Sequence, residues 1–181
     1  MLTDSQKRAL LHIARESVVA RVSGRDASWP SLPVIDALPE ATGVFVTLKR
    51  CGALRGCLGV LQLRGSLAEE VARCACDSAT VDPRFPPLTP DELAEVTLEI
   101  SVLGRLEPVD PSPAGGFEVG RHGLVVEQGH RRGLLLPQVA VEWGWTPEQF
   151  LRQTCRKAGL TPDAWQNGAE VFRFDADVFG E

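Results

Sequence analysis

Residues 44–61 read VFVTLKRCGALRGCLGVL, and their pattern sets the fold class. Val44, Val46 and Leu48 alternate with Phe45, Thr47 and Lys49, the period of a strand with one face in a core. Cys51-Gly52 supplies a turn, and residues 54–61 return as the partner strand of a hairpin. On the amino-terminal side, Thr3 and Gln6 have capping-box spacing. Leu10, Leu11, Ile13, Ala14, Ser17 and Val18 then recur at helical intervals, which predicts an amphipathic helix over about residues 4–20. Pro30, Pro33 and Pro39 interrupt residues 24–42, which read as an ordered loop or lobe connection because each proline removes a donor and restricts its neighbour.

On the other side, Ser66 and Glu69 form a second capping pair, and Leu67, Val71, Cys74, Ala75 and Ser78 mark one helical face. Asp82-Pro83-Arg84-Phe85-Pro86-Pro87 excludes regular helix, and Thr89-Pro90-Asp91-Glu92 opens a short one. In VTLEISVL, residues 96–103, Val96, Leu98, Ile100 and Val102 share a face, which leaves Glu99 as a polar exception on the other. A proline- and glycine-rich loop spans 104–116. Residues 123–127 then pair with 134–136 across a turn containing His130, Arg131 and Arg132, where the charges read as solvated. Pro137 opens a short helix ending near Gly144. Thr146-Pro147-Glu148-Gln149 opens another, stopped by Gly159, and residues 171–174 form a last strand.

Hairpins without repeated strand-helix-strand crossovers predict an α+β fold. The sheet is mixed and predominantly antiparallel, flanked by helices, with a smaller attached lobe. The 181 residues suit a single domain over 1–181. A net charge of -5, from 24 acidic and 19 basic residues, opposes binding to nucleic acid or to an anionic membrane surface. The absence of a basic-apolar leader and of a long apolar run predicts a cytoplasmic protein with no membrane association. In that compartment the five cysteines are expected as free thiols. Cys74-Ala-Cys76 is too closely spaced for a zinc knuckle, and neither GxGxxG nor GxxxxGKS/T occurs, so no metal and no cofactor is expected.

Leu54-Arg55-Gly56-Cys57-Leu58-Gly59 resembles the LRGCIG signature of the AmmeMemoRadiSam system protein A family, or AMMECR domain. Residues 82–89 (DPRFPPLT), 98–102 (LEISV), His122-Gly123-Leu124 and Leu136-Pro137-Gln138-Val139 match further blocks of that family in order. Leu58 replaces the usual isoleucine, and Leu135 stands where relatives often carry an aromatic. The resemblance implies a larger sheet-containing lobe and a smaller one. It also implies association with a Memo-like protein and a radical SAM protein. No CxxxCxxC motif is present, so this chain is not itself read as the radical enzyme.

The candidate site gathers Arg55, Cys57, Arg84, Glu99, His122 and Gln138. In an extended strand Arg55 and Cys57 share parity. A guanidinium there would favour the thiolate or grip an acidic ligand. The alternative makes Cys57 a small filler beside close-packed glycines and Arg55 a structural partner of Glu99. His122 is either a general base for Cys57, with Glu99 orienting the ring, or the cap of a turn. Glu99 is otherwise an ion-pair partner of Arg55 or Arg84. Arg84, in its proline-constrained segment, forms the wall of a ligand groove or pins the loop through Asp82 or Glu99. Gln138, in the matched block, completes a ligand-binding set with Arg55 and Arg84. Trp143 and Trp145 either anchor a partner or seal the lobe boundary. Two functions follow: an accessory module that presents a groove around LRGCLG to a small molecule or partner, and, alternatively, a small cysteine-dependent enzyme with Cys57, His122 and Glu99 as its catalytic residues.

Overall fold

The Thr3 hydroxyl accepts the Gln6 N–H while the Gln6 side chain accepts the Thr3 N–H, and this capping box starts helix α1, Asp4–Val22. The computed structural model describes residues 2–25, 38, 40–110, 112 and 115–181. The reading of Pro30, Pro33 and Pro39 as a loop lies outside the described residues. The hairpin pairs β1, Gly43–Arg50, with β2, Ala53–Val60, antiparallel through a turn in which Cys51 and Gly52 both have positive φ. That conformation matches the right-handed twist of the two strands. Ser66 and Glu69 form the box that starts α2, Leu67–Thr80. β3, Val96–Leu103, pairs with β1 antiparallel.

These elements belong to a first compact unit, residues 1–103 with 177–181. α1 and α2 cover the sheet face that carries Val44, Val46, Leu48, Leu98 and Ile100, and their buried residues form one core with it. The sheet order is β2-β1-β3, followed by the end of the last strand, whose Glu181 N–H donates to the Leu98 carbonyl.

The second unit, residues 104–176, holds β4, Glu107–Pro108, β5, His122–Gln128, β6, Arg131–Leu135, and the first part of β7, Glu170–Gly180. Here β5 lies between β6 and β7, both antiparallel to it, and β4 pairs with β7. Helices α3, Pro137–Glu142, and α4, Pro147–Lys157, supply Ala140, Phe150, Leu151 and Cys155 to a separate core.

The fold is α+β, with antiparallel sheet flanked by helices and a smaller helical lobe. Three local expectations change. The loop at 104–116 contains β4, because Glu107 and Pro108 find partners in Arg173 and Phe172. Arg131 and Arg132 are strand residues rather than turn residues. Arg132 pairs with Glu127 at 2.8 Å, and Arg131 donates to the Gly159 carbonyl at 2.8 Å. The last strand runs on to Gly180 because its end finds a second partner in β3. No helix among the described residues is long and apolar enough to cross a membrane.

Candidate functional site around the LRGCLG strand

The two glycines of the motif let other parts of the chain approach β2. A Cβ on Gly56 would lie 2.1 Å from the Ser78 carbonyl oxygen, so only a bare backbone lets α2 come this close. The Ser78 hydroxyl uses that proximity, accepting the Leu58 N–H and donating to the Val46 carbonyl, both at 2.8 Å. On the opposite face, a Cβ on Gly59 would meet the Phe45 ring at 2.4 Å.

Arg55 sits at an irregularity. Leu48 faces Gly56 but Lys49 faces Leu54, so Arg55 is the extra residue of a β-bulge, and simple parity no longer aligns it with Cys57. Its guanidinium turns to Glu92, with Nε to Oε1 and Nη2 to Oε2 both at 2.9 Å, and Nη1 donates to the Pro86 carbonyl at 2.9 Å. This fork and the Thr89 N–H hold the Glu92 carboxyl down at about 2.

Among the described residues only one flank of β2 is paired with a neighbouring strand. On the other, the Cys57 N–H donates to Asp82 Oδ2 at 2.8 Å, and Arg84 Nη2 donates to the Cys57 carbonyl at 3.0 Å. Arg84 also grips Asp82 with two bonds, Nε to Oδ1 at 2.9 Å and Nη2 to Oδ2 at 2.7 Å. Asp82 is buried, and these Arg84 bonds, joined by the Cys57 N–H, keep its carboxyl well below the ordinary carboxylate range despite burial. The DPRFPP segment thus satisfies edge backbone that another strand would otherwise pair.

The Cys57 side chain lies in a row across the sheet face away from the helices. Cys57 faces Thr47, which faces Glu99. The Thr47 hydroxyl donates to the Cys57 sulfur at 3.2 Å, and Lys49 Nζ donates to Glu99 Oε2 at 2.9 Å. Glu99 therefore pairs with Lys49, while Arg55 and Arg84 take Glu92 and Asp82 instead.

His122 and Gln138 belong to the second unit. His122 is buried at the start of β5, where Nδ1 accepts the Glu118 N–H at 2.9 Å and Nε2 lies 3.7 Å from Asp175 Oδ1. Burial, with Arg173 nearby, lowers its pKa against the opposing pull of Asp175. Gln138 occupies the first turn of α3, and its Oε1 is buried without a partner among the described residues. Arg55, Cys57, Arg84 and Glu99 thus all lie in the first unit, with Cys57 joined to Arg84 through its carbonyl and in one row with Thr47 and Glu99, and with Arg55 held by Glu92; His122 and Gln138 lie in the second. The sequence reading missed Glu92, Thr47 and Lys49 as members of the site. Glu92 carried only a helix-start signal, and the other two only strand alternation. Among the described residues no group of three or more His, Cys, Asp or Glu is placed to hold a metal ion.

The AMMECR1 family model matches residues 11–179. A protein of Thermococcus gammatolerans is 43% identical over 189 residues, covering 99% of this chain and 92% of its own length. One of Methanosarcina mazei is 41% identical, covering 100% and 94%. The crystal structure of uncharacterized protein PH0010 from Pyrococcus horikoshii is similar with a TM-score of 0.89 at 40% identity, covering 99% of this chain and 93% of that one. With the LRGCLG strand and the DPRFPP segment assembled into one structure, and with matches along nearly the whole length, the chain belongs to the AMMECR1 family, that of AmmeMemoRadiSam system protein A.

Proposed function

We propose that the chain is an accessory module that binds a small molecule or a partner protein on the surface around the LRGCLG strand. One observation carries this reading: both arginines beside the motif fork to a carboxylate and bond a backbone carbonyl, but Arg55 is largely buried in doing so while Arg84 stays exposed. The Arg55 side chain is 13% exposed and committed to Glu92 and the Pro86 carbonyl, so it holds the wall in place. The Arg84 side chain is 52% exposed, lies over the Phe85 ring at 5.5 Å and neighbours the Cys57 side chain. Its geometry is already set by Asp82, so the arginine itself loses little entropy on meeting an acidic group. The partners that the family resemblance implies, a Memo-like protein and a radical SAM protein, are the first to test. Calorimetric titration of each into the wild-type chain and into Arg84→Lys should show several-fold weaker binding by the variant, because lysine keeps the charge but loses the planar guanidinium that holds Asp82 and the Cys57 carbonyl while its exposed part meets a ligand. A panel of small carboxylates and phosphates forms the second arm. Absence of any Arg84-dependent binding in both arms would sink the reading.

The cysteine-enzyme alternative, with Cys57 as nucleophile, His122 as base and Glu99 behind it, has one observation in its favour, the Thr47 hydroxyl donated to the sulfur. It requires iodoacetamide to label native Cys57 faster than the more exposed Cys51, and replacement of His122 to slow that labelling.

A further inference from the structure

The second unit carries an aromatic ladder that runs from its core to its surface. Phe117 packs edge-on against Phe150 with centroids 6.3 Å apart, Phe150 against Trp145 at 6.4 Å, and Trp145 stacks on Trp143 at 6.2 Å with planes 17° apart. Phe150 is fully buried, whereas Trp143 at the end of the ladder is 70% exposed and Val141 beside it 60% exposed. Gly144, at a φ of +61°, makes the turn between the two indoles. Trp143 is therefore an exposed indole held in place by its neighbour, so little ordering entropy remains to be lost when something covers it.

Charge selects the occupant. Between Arg132 and Arg152 the chain carries two acids, Glu142 and Glu148, and no base. Both are exposed, Glu142 directly before Trp143 and Glu148 in the first turn of α4, where it lies 3.6 Å from Arg152. An indole face attracts cations through its quadrupole, and exposed carboxylates on the same short stretch of chain add charge attraction. Arginine meets both demands, since its guanidinium stacks on an aromatic face and forks to a carboxylate.

We infer that Trp143 and Trp145, with Glu142 and Glu148, form a docking surface for an arginine-bearing segment of a partner protein. This surface is independent of the LRGCLG strand and of the function proposed for it. The test titrates a capped peptide of alternating arginine and glycine into the full chain at low salt, with the glutamate-glycine peptide as counterpart. The arginine peptide should bind and the glutamate peptide should not. Trp143→Ala should weaken binding about tenfold, with an unchanged melting temperature because the ring is exposed. Glu142→Gln should weaken it more than Glu16→Gln, which removes the same charge from exposed α1 surface. Equal binding by wild type and Trp143→Ala would assign the affinity to the general negative charge and overturn the proposal. So would absence of binding up to about millimolar peptide. Sedimentation supplies a third arm: self-association of the chain alone, abolished by Trp143→Ala, would make a second copy the occupant and likewise refute it.

Discussion

Glu92 is the carboxylate that holds the Arg55 guanidinium in place. Its pKa of about 2 lies below the ordinary glutamate value because Arg55 and the Thr89 N–H bind the ionised form. A depressed folded-state pKa contributes stability that is fully present above the unfolded value and lost as pH falls toward the folded one. Glu92→Gln should therefore be less stable than wild type by about 1–3 kcal/mol at neutral pH. Urea unfolding should show the gap closing between about pH 5 and pH 2. A gap of equal size at both ends would mean that the charge of Glu92 is not what holds Arg55. The thiols sort by burial in the same way. Burial pushes Cys74 up to about 11 and raises Cys76 and Cys155, while Cys51 is exposed at the hairpin turn. Brief iodoacetamide treatment followed by mass spectrometry should find Cys51 modified and Cys74, Cys76 and Cys155 untouched until the protein unfolds. Labelling of any of the three in native protein would show that its cover opens.

At the scale of elements, β2 works as a two-sided joint. One face and its backbone are tied to α2 through Gly56 and Ser78, and its outer edge to the DPRFPP segment through Asp82 and Arg84. Two effects of opposite sign compete at Gly56. Replacing a strand glycine by alanine ordinarily stabilises by about 0.5–1 kcal/mol. Here the new Cβ would sit 2.1 Å from a helix carbonyl, and relieving that overlap means moving α2. Overpacking of this kind costs about 1–3 kcal/mol or more, so Gly56→Ala should be destabilising in denaturant unfolding. A neutral or stabilised Gly56→Ala protein would show that α2 shifts at no cost. Much of this element was readable beforehand: alternation along β1, the turn at Cys51-Gly52 and the Ser66 cap are local patterns. The bulge at Arg55 was not, because a single extra residue leaves the hydrophobic period on either side nearly unchanged.

For the whole molecule, β7 is the segment that belongs to both units, through residue 176 in one and from Asp177 in the other. In the first unit Asp177 accepts the Leu2 N–H at 2.7 Å and pairs with Lys7 at 2.8 Å, Phe179 packs on the core, and Glu181 binds Arg15 and the Leu98 N–H. Removing residues 177–181 should lower stability by about 2–4 kcal/mol, mostly through Phe179, since partly exposed ion pairs contribute little. Calorimetry of the full and shortened chains measures this loss. An unchanged melting temperature would mean that the strand end is an ornament of the first unit. The same experiment tests the single-domain reading, which expects one transition in the full chain, whereas two separated transitions would show the units unfolding independently.

Short-range chemistry was legible from the residues alone. Capping boxes at Thr3, Ser66 and Thr146 lie within four residues of their partners, strand alternation is a property of consecutive positions, and ordered motif blocks identify the family. Of the partners, the neighbouring pair Arg84 and Asp82 was legible as one of two choices, and the distant ones were not. Arg55 reaches Glu92, 37 positions away, Cys57 gives its N–H to Asp82, 25 positions away, and Glu99 takes Lys49 rather than either arginine. Each pairing depends on strand register, on the bulge, and on which flank of β2 is taken by β1. Those are set by how the chain packs over long separations, because a charge pairs with whatever the fold brings within reach, and many acids in a chain of this composition would satisfy the same arginine.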